Sequence, residues 1–502
     1  MPRNPVTLLE RIFHHVTACP DKIALVREKE VISYGELGER IRVSASVLKA
    51  AGVHPGDRVI LAAENSPAFV YGYLATHALS AIAVPVDPQS TDATLEFLVR
   101  EVEPKAIFTA RKFDSPSLRV RGIEELSSAN GEGGNEALTP PGPSPRDAAD
   151  ILYTTGTTGK PKGVVLTHGN ILSAAENINA FIGNHASDRE LLPLPLSHSF
   201  GLGRLRCNLL AGGGLVLANG FLFVGEIFEL MKQWRTTGFC FVPSGLAVLF
   251  QLSGDQIGEF ADQLKYIEIG SAPMPRDHKE RLLRLLPSTR ICMHYGLTEA
   301  SRSSFIDFNR SGDKLESAGT PSPNVEIQIV GDCGQSLPPG QTGRIHIRGP
   351  HVMQRYWNQP ELTRETLMDG WLRTEDIGYL DEEGFLFLEG RETDLVNVGG
   401  RKVAPKQVED ALNQHPDITD CACLGVPDPN GLSGESVQAF LVSDQDPHCK
   451  PSKRDLTVFL RRFLEPYKIP ADFVWVDAIP KTRSGKIQRR RLAENFRGQK
   501  KP

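Results

Sequence analysis

A run of hydroxyl, glycine and lysine residues between two apolar segments is the strongest chemical signal in the chain. It extends from Thr154 to Gly163 and reads TTGTTGKPKG. Backbone NH groups, hydroxyls and ammonium groups in such a loop can surround a polyphosphate. The loop is not a P-loop, because Gly-x4-Gly-Lys-Ser/Thr is not matched and the strand-like run Val164 to Leu166 follows it. These residues predict a phosphate-binding loop of another type.

The elements around this loop follow the pattern of an α/β protein. From the start to about residue 340, β-rich apolar runs alternate with amphipathic segments such as Tyr34 to Ala51 and Arg276 to Leu286. This alternation predicts βαβ units, with largely parallel sheets and helices packed outside. Short strands and turns from Thr342 to Gly390 predict a β-rich subdomain, and the last ~110 residues read as a compact α+β unit. The Gly, Pro and Ser residues from Ser127 to Arg146 predict an exposed connector.

Composition narrows the class of protein. The 502 residues correspond to about three domains at ~150 residues each. With 40% hydrophobic and 23% charged residues, disordered, collagen-like and coiled-coil classes are excluded. The formal net charge of -5 gives no sign of a nucleic-acid partner and favours a small-molecule substrate.

Cysteine usage and the apolar stretches indicate a cytoplasmic protein with no integral membrane segment. The eight cysteines form no CxxC pair and no zinc-spaced cluster, and Cys421 with Cys423 is expected on one buried face of a strand. The charge-free stretches Ser66 to Val86 and Cys207 to Val224 are interrupted by Gly or Pro, which predicts short core elements. Glu10 interrupts the N-terminal apolar run, which disfavours a secretory signal.

Six further motifs follow the phosphate-binding loop in order along the chain. They are LPLSHSFG at 194–201, GSAP at 270–273, HYGLTE at 294–299, GWLRTED at 370–376, Gly390-Arg391 and PKTRSGK at 480–486. With these motifs the sequence resembles the acyl-adenylate-forming superfamily of acyl-CoA synthetases, free-standing adenylation enzymes and beetle luciferases. The resemblance covers nearly the whole chain. One departure is Glu375, where most relatives have glycine.

The resemblance implies an activity and three catalytic residues. The family joins a carboxylate to the α-phosphate of ATP with release of pyrophosphate, and many members then pass the acyl group to a thiol. In the family, Lys486 would bridge the carboxylate and the α-phosphate, and Glu299 would hold Mg²⁺ with the phosphates. His198 would lie between the acid and the nucleotide, although a purely structural histidine is a serious alternative.

The resemblance also implies an ATP site. Asp376 would accept hydrogen bonds from both ribose hydroxyls, with Arg391 as a second ribose contact. Tyr295 would offer its ring to adenine, with core packing as the alternative. The full expected set is Thr154, Thr155, Gly156, Thr157, Thr158, Lys162, Gly270, Ser271, Ala272, His294, Tyr295, Gly296, Thr298, Asp376 and Arg391.

A hinge and two domains are implied by the same resemblance. Residues 1–390 would form the large N-terminal adenylation domain, 391–395 the hinge, and 396–502 a small mobile C-terminal domain carrying the catalytic lysine. The hinge position is Thr393, followed by Asp394, where the family usually has Asp or Lys. Rotation would present Lys486 for the first step and a loop with Gly399 and Gly400 for the thiol. A simple turn is the alternative.

The acid substrate is expected to be fatty or aryl. The apolar segment Phe239 to Pro243 lacks the aspartate with which amino-acid-activating relatives pair the substrate ammonium. Arg204 and Arg206 are expected on an outer surface, or alternatively reading a second anionic group of the substrate. A solvated basic tail is expected to include Arg489, Arg490 and Arg491.

Three functions remain compatible with these residues. The first is an ATP-dependent acid–CoA ligase that uses ATP, Mg²⁺ and CoA. The second is a free-standing enzyme that loads an acyl carrier protein, and the third is a catalytically idle nucleotide-binding relative. Lys486, Glu299 and Asp376 argue against the third. The first two share the adenylation site, and the sequence does not choose between their thiols.

Overall fold

The computed structural model describes most of the chain as two compact units. The first unit comprises Met1–Ile327 and Ile347–Leu372, and the second comprises Gln328–His346 and Arg373–Pro502. The described residues are 7–113, 120–127, 142–154, 161–221, 223–398, 401–428, 435–445, 450–482 and 485–499. Thr155, Gly156, Thr157, Thr158, Gly399, Gly400 and most of the predicted connector lie outside them.

The strands and helices, in chain order, have the following bounds. The strands are β1 (Ile23–Arg27), β2 (Glu30–Ser33), β3 (Arg58–Ala62), β4 (Ile82–Pro85), β5 (Ala106–Thr109), β6 (Val120–Gly122), β7 (Ala148–Thr154), β8 (Lys162–Thr167), β9 (Arg189–Leu192), β10 (Gly214–Leu217), β11 (Gly238–Phe241), β12 (Tyr266–Ile269), β13 (Arg290–Tyr295), β14 (Ser304–Asp307), β15 (Thr320–Pro321), β16 (Glu326–Val330), β17 (Gly343–Arg348), β18 (Arg355–Tyr356), β19 (Leu367–Met368), β20 (Trp371–Leu380), β21 (Leu386–Arg391), β22 (Val396–Val398), β23 (Arg401–Val403), β24 (Asp420–Pro427), β25 (Glu435–Val442) and β26 (Asp472–Trp475). The helices are α1 (Leu8–Ala18), α2 (Tyr34–Ala50), α3 (Pro67–Ala78), α4 (Asp92–Val102), α5 (His168–Ile182), α6 (Ser199–Ala211), α7 (Val224–Trp234), α8 (Pro243–Ser253), α9 (Arg276–Leu285), α10 (Pro360–Thr366), α11 (Pro405–Leu412), α12 (Lys453–Leu460) and α13 (Arg489–Gln499).

A nine-stranded sheet in the first unit has the order β15-β14-β13-β12-β11-β9-β10-β1-β2. The six strands from β13 to β1 run parallel, and antiparallel strands flank them on both sides. Strands β11 and β12 are buried at every position, as central strands covered on both faces require. The carboxyl ends of the parallel strands share one edge, which is where α/β sheets usually bind ligands.

A seven-stranded sheet in the same unit has the order β18-β8-β7-β4-β3-β5-β6. Its five strands from β7 to β6 run parallel, whereas β8 pairs antiparallel with β7 and β18 antiparallel with β8. The β7–β8 hairpin therefore carries the predicted phosphate-binding loop between its two strands.

Local sequence signals account for several helix ends in the first unit. The side chains of Thr7, Ser33 and Thr167 form capping boxes at the starts of α1, α2 and α5. Gly183 and Gly212 end α5 and α6 in the left-handed conformation. The two charge-free stretches form α3 with β4 and the end of α6 with β10, which confirms them as core elements. Within the described residues, no helix is long and apolar enough to span a bilayer.

The second unit contains a three-stranded sheet in which β25 pairs antiparallel with β24 and parallel with β26. Its core includes Val408 and Leu412 of α11 and Leu456 of α12. Cys421 and Cys423 of β24 are buried in this core, as predicted. A separate two-stranded hairpin, β22–β23, follows the predicted hinge position.

A five-stranded sheet comprises β16, β17, β20, β19 and β21, and it corresponds to the predicted β-rich region. The division between the compact units falls inside β16, β17 and β20. The mixed α/β class with a larger N-terminal part and a smaller C-terminal part is confirmed. The functional boundary at residues 391–395 stays a prediction, because contacts alone divide the chain earlier, at Arg373.

Candidate active site

The β7–β8 hairpin brings the two ends of the predicted phosphate-binding loop together. Thr154, the last residue of β7, pairs directly with Lys162, the first residue of β8. Both side chains are half-buried at the same end of the hairpin. A hydroxyl and an ammonium group thus lie at the base of the loop.

Lys162 belongs to a cluster that also contains Tyr356 and Glu299. Strand β18 pairs with β8 so that Tyr356 lies opposite Val164. The Lys162 ammonium lies 5.7 Å from the centre of the Tyr356 ring. The Tyr356 hydroxyl donates a hydrogen bond to Glu299 Oε1 at 2.8 Å, and the Met353 NH donates to the Glu299 carbonyl at 2.8 Å. A cation, a phenol and a carboxylate therefore meet beside the loop.

Tyr356 was not predicted as a site residue. It lies 57 positions from Glu299 along the chain, and no spacing rule connects the two. The only sequence signal is an aromatic pair, Tyr356-Trp357, between polar and turn residues. Only the antiparallel pairing of β18 with β8 reveals its place.

The GSAP and HYGLTE motifs lie at the carboxyl ends of two neighbouring parallel strands. Gly270, Ser271 and Ala272 follow β12, and His294 with Tyr295 ends β13, with Ile269 pairing with Met293. A Cβ on Gly270 would lie 2.1 Å from the His294 ring, so only glycine fits beside this histidine. The sheet therefore brings the two predicted nucleotide-binding motifs together.

A tight turn connects HYGLTE to the strand that follows. The Leu297 NH donates to the Ala300 carbonyl at 3.0 Å, and the Ala300 NH returns to the Leu297 carbonyl at 3.2 Å. Thr298 and Glu299 are the two central residues of this turn. A Cβ on Gly296 would lie 2.3 Å from the Arg302 backbone nitrogen, so the turn needs a glycine at its entrance. The turn fixes the backbone of Glu299.

His198 immediately precedes α6 and has an accessible side chain, 55% exposed. Its Nε2 lies 3.8 Å from Asp87 Oδ2, just beyond the end of β4. This exposure is compatible with contact to a substrate and differs from a fully packed structural histidine.

A buried charge network lies beneath the strand edge that carries His294. Glu268 of β12 places Oε1 2.7 Å from His294 Nδ1 and 3.0 Å from Arg302 Nε, and its Oε2 lies 2.8 Å from Arg204. Burial alone would raise the pKa of Glu268, but the guanidinium groups of Arg302 and Arg204 outweigh it and hold that pKa well below its usual range. Burial also lowers the pKa of His294, despite the nearby glutamate. Glu268 is therefore a carboxylate shared by two arginines and His294.

Arg204 and Arg206 are not surface residues, and the prediction that placed them on an outer surface is wrong. Arg204 is fully buried and pairs with Glu190 as well as Glu268. Arg206 is buried against Asp150 of β7, and its Nε donates to the Tyr73 hydroxyl at 2.9 Å. Buried carboxylates balance the charge of both guanidinium groups inside the fold. Neither arginine is therefore presented to a second anionic group of a substrate.

In the second unit, Asp376 and Arg391 are direct cross-strand partners on β20 and β21. Arg391 Nε lies 3.2 Å from Asp376 Oδ1. The Asp376 NH donates to Thr374 Oγ1 at 3.1 Å, which fixes the backbone beside the carboxylate. The departure at Glu375 leaves β20 continuous across this position. The two predicted ribose contacts are thus adjacent.

The predicted hinge lies in a short 3-10 turn, Glu392–Asp394, directly after β21. Charged partners hold both flanks of Thr393. Glu392 binds Arg344 through both oxygens at 2.6 and 2.9 Å, and Asp394 lies 3.4 Å from Arg489.

Lys486 is exposed and follows a turn that its own backbone closes. The Thr482 NH donates to the Lys486 carbonyl at 2.8 Å, and the Lys486 NH donates to Thr482 Oγ1 at 3.1 Å. Gly485 has φ +83°, a left-handed conformation that suits glycine. The turn presents the lysine side chain at a surface.

Arg489 departs from the predicted solvated basic tail. Its guanidinium binds both oxygens of the buried Glu409 at 2.8 and 3.0 Å. Burial raises the pKa of Glu409 even though Arg489 opposes the shift. Arg490, by contrast, is exposed and pairs with Glu494 one helical turn away, and Arg491 is also exposed.

Two family profiles match the chain. The profile described as AMP-binding enzyme matches residues 12–357, and the profile described as AMP-binding enzyme C-terminal domain matches residues 407–486. The chain belongs to the AMP-binding enzymes. The predicted superfamily and the prediction of an AMP-forming acid–thiol ligase are confirmed.

Individual relatives of this AMP-binding enzyme match along nearly their full length. A fatty acid–[acyl-carrier-protein] ligase, ScoC of Streptomyces coeruleorubidus, is 30% identical, over 98% of this chain and 97% of its own. A feruloyl-CoA synthase of an Amycolatopsis species is 31% identical, over 95% and 96%. The solved structure of o-succinylbenzoate CoA synthetase MenE of Bacillus subtilis, in complex with ATP and magnesium ion, is 29% identical with a TM-score of 0.86, over 96% of this chain and 99% of its own.

Proposed function

We propose that this AMP-binding enzyme activates a fatty or aryl carboxylic acid with ATP and transfers the acyl group to the thiol of CoA. In the first step, a carboxylate oxygen attacks the α-phosphorus of ATP, and pyrophosphate leaves. In the second step, the thiol attacks the acyl carbon, and AMP leaves. The observation that carries this proposal is the Lys162–Tyr356–Glu299 cluster at the base of the Thr154 to Gly163 loop.

The first step needs cations, because two anions must meet. Unit charges ~4 Å apart at an effective dielectric of ~20 repel by about 4 kcal/mol, or about three decades in rate. Lys162 and the threonines Thr154, Thr155, Thr157 and Thr158 are proposed to hold the phosphates, with the loop glycine Gly156. Lys486 is proposed to bridge the carboxylate and the α-phosphate, and its exposed position on a fixed turn supports this role.

Glu299 is proposed as the protein ligand of Mg²⁺. A carboxylate suits a hard cation, and the Tyr356 hydrogen bond with the backbone turn holds its orientation. When bound, the ion would neutralise charge on the phosphates. MenE was solved in complex with ATP and magnesium ion, which supports magnesium as the metal of this proposal.

The nucleoside is proposed to contact two groups of residues. Asp376 accepts hydrogen bonds from the ribose hydroxyls, with Arg391 beside it as a second contact. The adenine ring packs on Tyr295 and the backbone of Gly270, Ser271 and Ala272, near His294, Gly296 and Thr298.

The acid is proposed to bind beside the apolar strand β11, with His198 positioning its carboxylate. Strand β11 carries Phe239 and Phe241, and no acidic residue occurs in the segment from Phe239 to Pro243 that could hold an ammonium group. An amino-acid substrate is therefore disfavoured. A carrier protein is the alternative acceptor, because ScoC is a carrier-protein ligase.

The second step is proposed to follow a rotation about Thr393 and Asp394, after which Gly399 and Gly400 line the path of the thiol. We place the enzyme in fatty acid metabolism in the cytoplasm. The hinge and thiol-path assignments rest on the motifs in which the chain resembles its family, and the cytoplasmic assignment rests on cysteines that form no CxxC pair or zinc-spaced cluster.

The test is a pyrophosphate-release screen against a panel of fatty, aryl and amino acids. CoA and an acyl carrier protein are then supplied as alternative acceptors, and AMP and the thioester are measured by mass spectrometry. We expect a fatty or aryl acid to give pyrophosphate and CoA to give the thioester. Release only with amino acids would reject the substrate class, and thioester only on the carrier protein would reject CoA.

A further inference from the structure

Arg302 lies just after the HYGLTE motif and is almost fully buried, although no motif assigns it a role. Its Nη1 donates to the Ser199 carbonyl at 3.1 Å, and its Nη2 donates to the Phe200 carbonyl at 3.0 Å. These two carbonyls belong to the first turn of α6, directly after His198. The guanidinium also lies 4.7 Å from the centre of the Phe200 ring. One side chain thus holds the start of this helix by three contacts.

The same guanidinium reaches the strand edge beneath His294. Arg302 Nε donates to Glu268 Oε1 at 3.0 Å, and the same oxygen lies 2.7 Å from His294 Nδ1. The Phe200 ring packs edge-on against the His294 ring at 4.7 Å. Arg302 therefore connects the segment that follows His198 with the segment that carries the nucleotide-binding motif.

The chain makes room for this guanidinium at a specific place. A Cβ on Gly203 of α6 would lie 2.4 Å from Arg302 Nη1 and 3.0 Å from its Cζ. Arg302 itself has φ +55°, a left-handed conformation that is unfavourable for a residue with a side chain. The backbone at Arg302 is thus strained, and Gly203 leaves the space that the guanidinium needs. The contacts of the guanidinium hold Arg302 in this unfavourable conformation.

From this geometry we infer that Arg302 is a positioning residue that sets the first turn of α6, and with it His198, for binding of the acid. This inference rests on the proposed function. A planar guanidinium can bind one carboxylate and two carbonyl oxygens at the same time, which a lysine ammonium cannot do in the same geometry.

Loss of the Arg302 contacts should weaken binding of the acid rather than binding of ATP, because Glu268 has a second charged partner. Its other oxygen, Oε2, accepts from Arg204 at 2.8 Å, so loss of Arg302 leaves Glu268 and His294 held from the other side. The carbonyls of Ser199 and Phe200, by contrast, lose the hydrogen bonds that they accept from Arg302. The start of α6 is then the part that is displaced.

The test compares two variants that disturb this contact with one matched control. Arg302→Lys removes the fork of donors, and Gly203→Ala displaces the guanidinium while Arg302 stays in place. Arg290→Lys is the control, because Arg290 also binds a carboxylate, a backbone carbonyl and a phenylalanine ring, through Asp307, Ile182 and Phe181, but at the amino end of β13. Steady-state pyrophosphate release gives KM for acid and for ATP, and hydrogen exchange reports on the amides of residues 202–204.

We expect both test variants to raise the KM for acid at least tenfold while the KM for ATP changes less than threefold. Exchange at residues 202–204 should become at least tenfold faster, and Arg290→Lys should match wild type in all three. An unchanged KM for acid, equal rises in both KM values, or unchanged exchange in both variants would overturn the inference. Wild-type enzyme without acid-dependent pyrophosphate release would instead reject the proposed function. A variant that does not fold leaves the other to decide.

Discussion

Tyr356 donates its hydroxyl hydrogen to Oε1 of Glu299 at 2.8 Å, across 57 positions of the chain. The bond joins a short edge strand, β18, to the turn that follows β13. Because Lys162 lies over the same tyrosine ring, the contact places this base residue of the predicted loop beside the proposed magnesium ligand.

We predict that Tyr356→Phe slows acyl-adenylate formation by about 10-fold to 100-fold, because a hydrogen bond to a charged group contributes about 1.5–3 kcal/mol. The concentration of Mg²⁺ at half-maximal rate should rise as well, since the Glu299 carboxylate loses its orientation. Acid-dependent pyrophosphate release over a Mg²⁺ titration measures both. The control is Tyr71→Phe, which removes a buried hydroxyl that has no hydrogen-bond partner among the described residues. Equal behaviour of the two variants would place Tyr356 outside the site.

Removal of the Asp376 carboxylate should weaken ATP binding. Asp376→Ala would remove the acceptor of the two proposed ribose hydrogen bonds, a loss on the order of 1.5–3 kcal/mol for hydrogen bonds to a charged group. Isothermal titration with a non-hydrolysable ATP analogue measures the loss. Asp332→Ala serves as the control in the same unit, because Asp332 is 80% exposed and pairs only loosely with Arg344 at 3.5 Å. Unchanged affinity in Asp376→Ala would remove this residue from the nucleotide site.

Thr393→Pro should separate the two half-reactions. Proline fixes φ near roughly −65°, so residue 393 could adopt at most one of two hinge conformations. One half-reaction should stay close to wild type while the other slows by orders of magnitude. Pyrophosphate release and thiol transfer from a preformed adenylate are measured separately, with Thr393→Ala as the control. A modest and equal loss in both steps would reject the hinge.

The buried His168 should make the protein less stable in mild acid. Burial lowers its pKa from 6.5 to about 3, so the folded state binds fewer protons than the unfolded state below pH 6.5. Its stabilising contribution is present above pH 6.5 and decreases by about 1.4 kcal/mol per pH unit below it. At pH 5 we expect the free energy of unfolding of the wild type to be about 2 kcal/mol lower than at neutral pH. His168→Gln should not show this decrease. Urea denaturation between pH 7 and 5 measures it, with the exposed His14→Gln as control. Identical slopes for wild type and His168→Gln would show that His168 titrates normally.

The alternation of strands and helices could be predicted because it depends on local patterns. The helices expected at Tyr34 to Ala51 and Arg276 to Leu286 occur at Tyr34–Ala50 and Arg276–Leu285. Capping residues and glycines mark the ends of several helices, and these signals can be read directly from the sequence. The two large sheets of the first unit follow from the same pattern, but their strand orders do not.

The buried charges could not be predicted from the sequence. Arg204 and Arg206 looked like surface residues because arginines usually are. The partners of Arg204, Glu190 and Glu268, lie in strands that otherwise read as apolar. Burial of Arg204 depends on both carboxylates, which lie 14 and 64 positions away. Pairing at such distances depends on the sheet order, which a single sequence does not provide.

The central claim, activation of an acid through an acyl-adenylate, is tested most directly by Lys486→Ala in the two half-reactions measured separately. The variant should lose acid-dependent pyrophosphate release, because no ammonium bridges the carboxylate and the α-phosphate. It should still transfer the acyl group from a preformed acyl-adenylate to the thiol at a rate close to wild type. A variant that forms the adenylate at wild-type speed, or that loses both half-reactions equally while folded, would contradict the account.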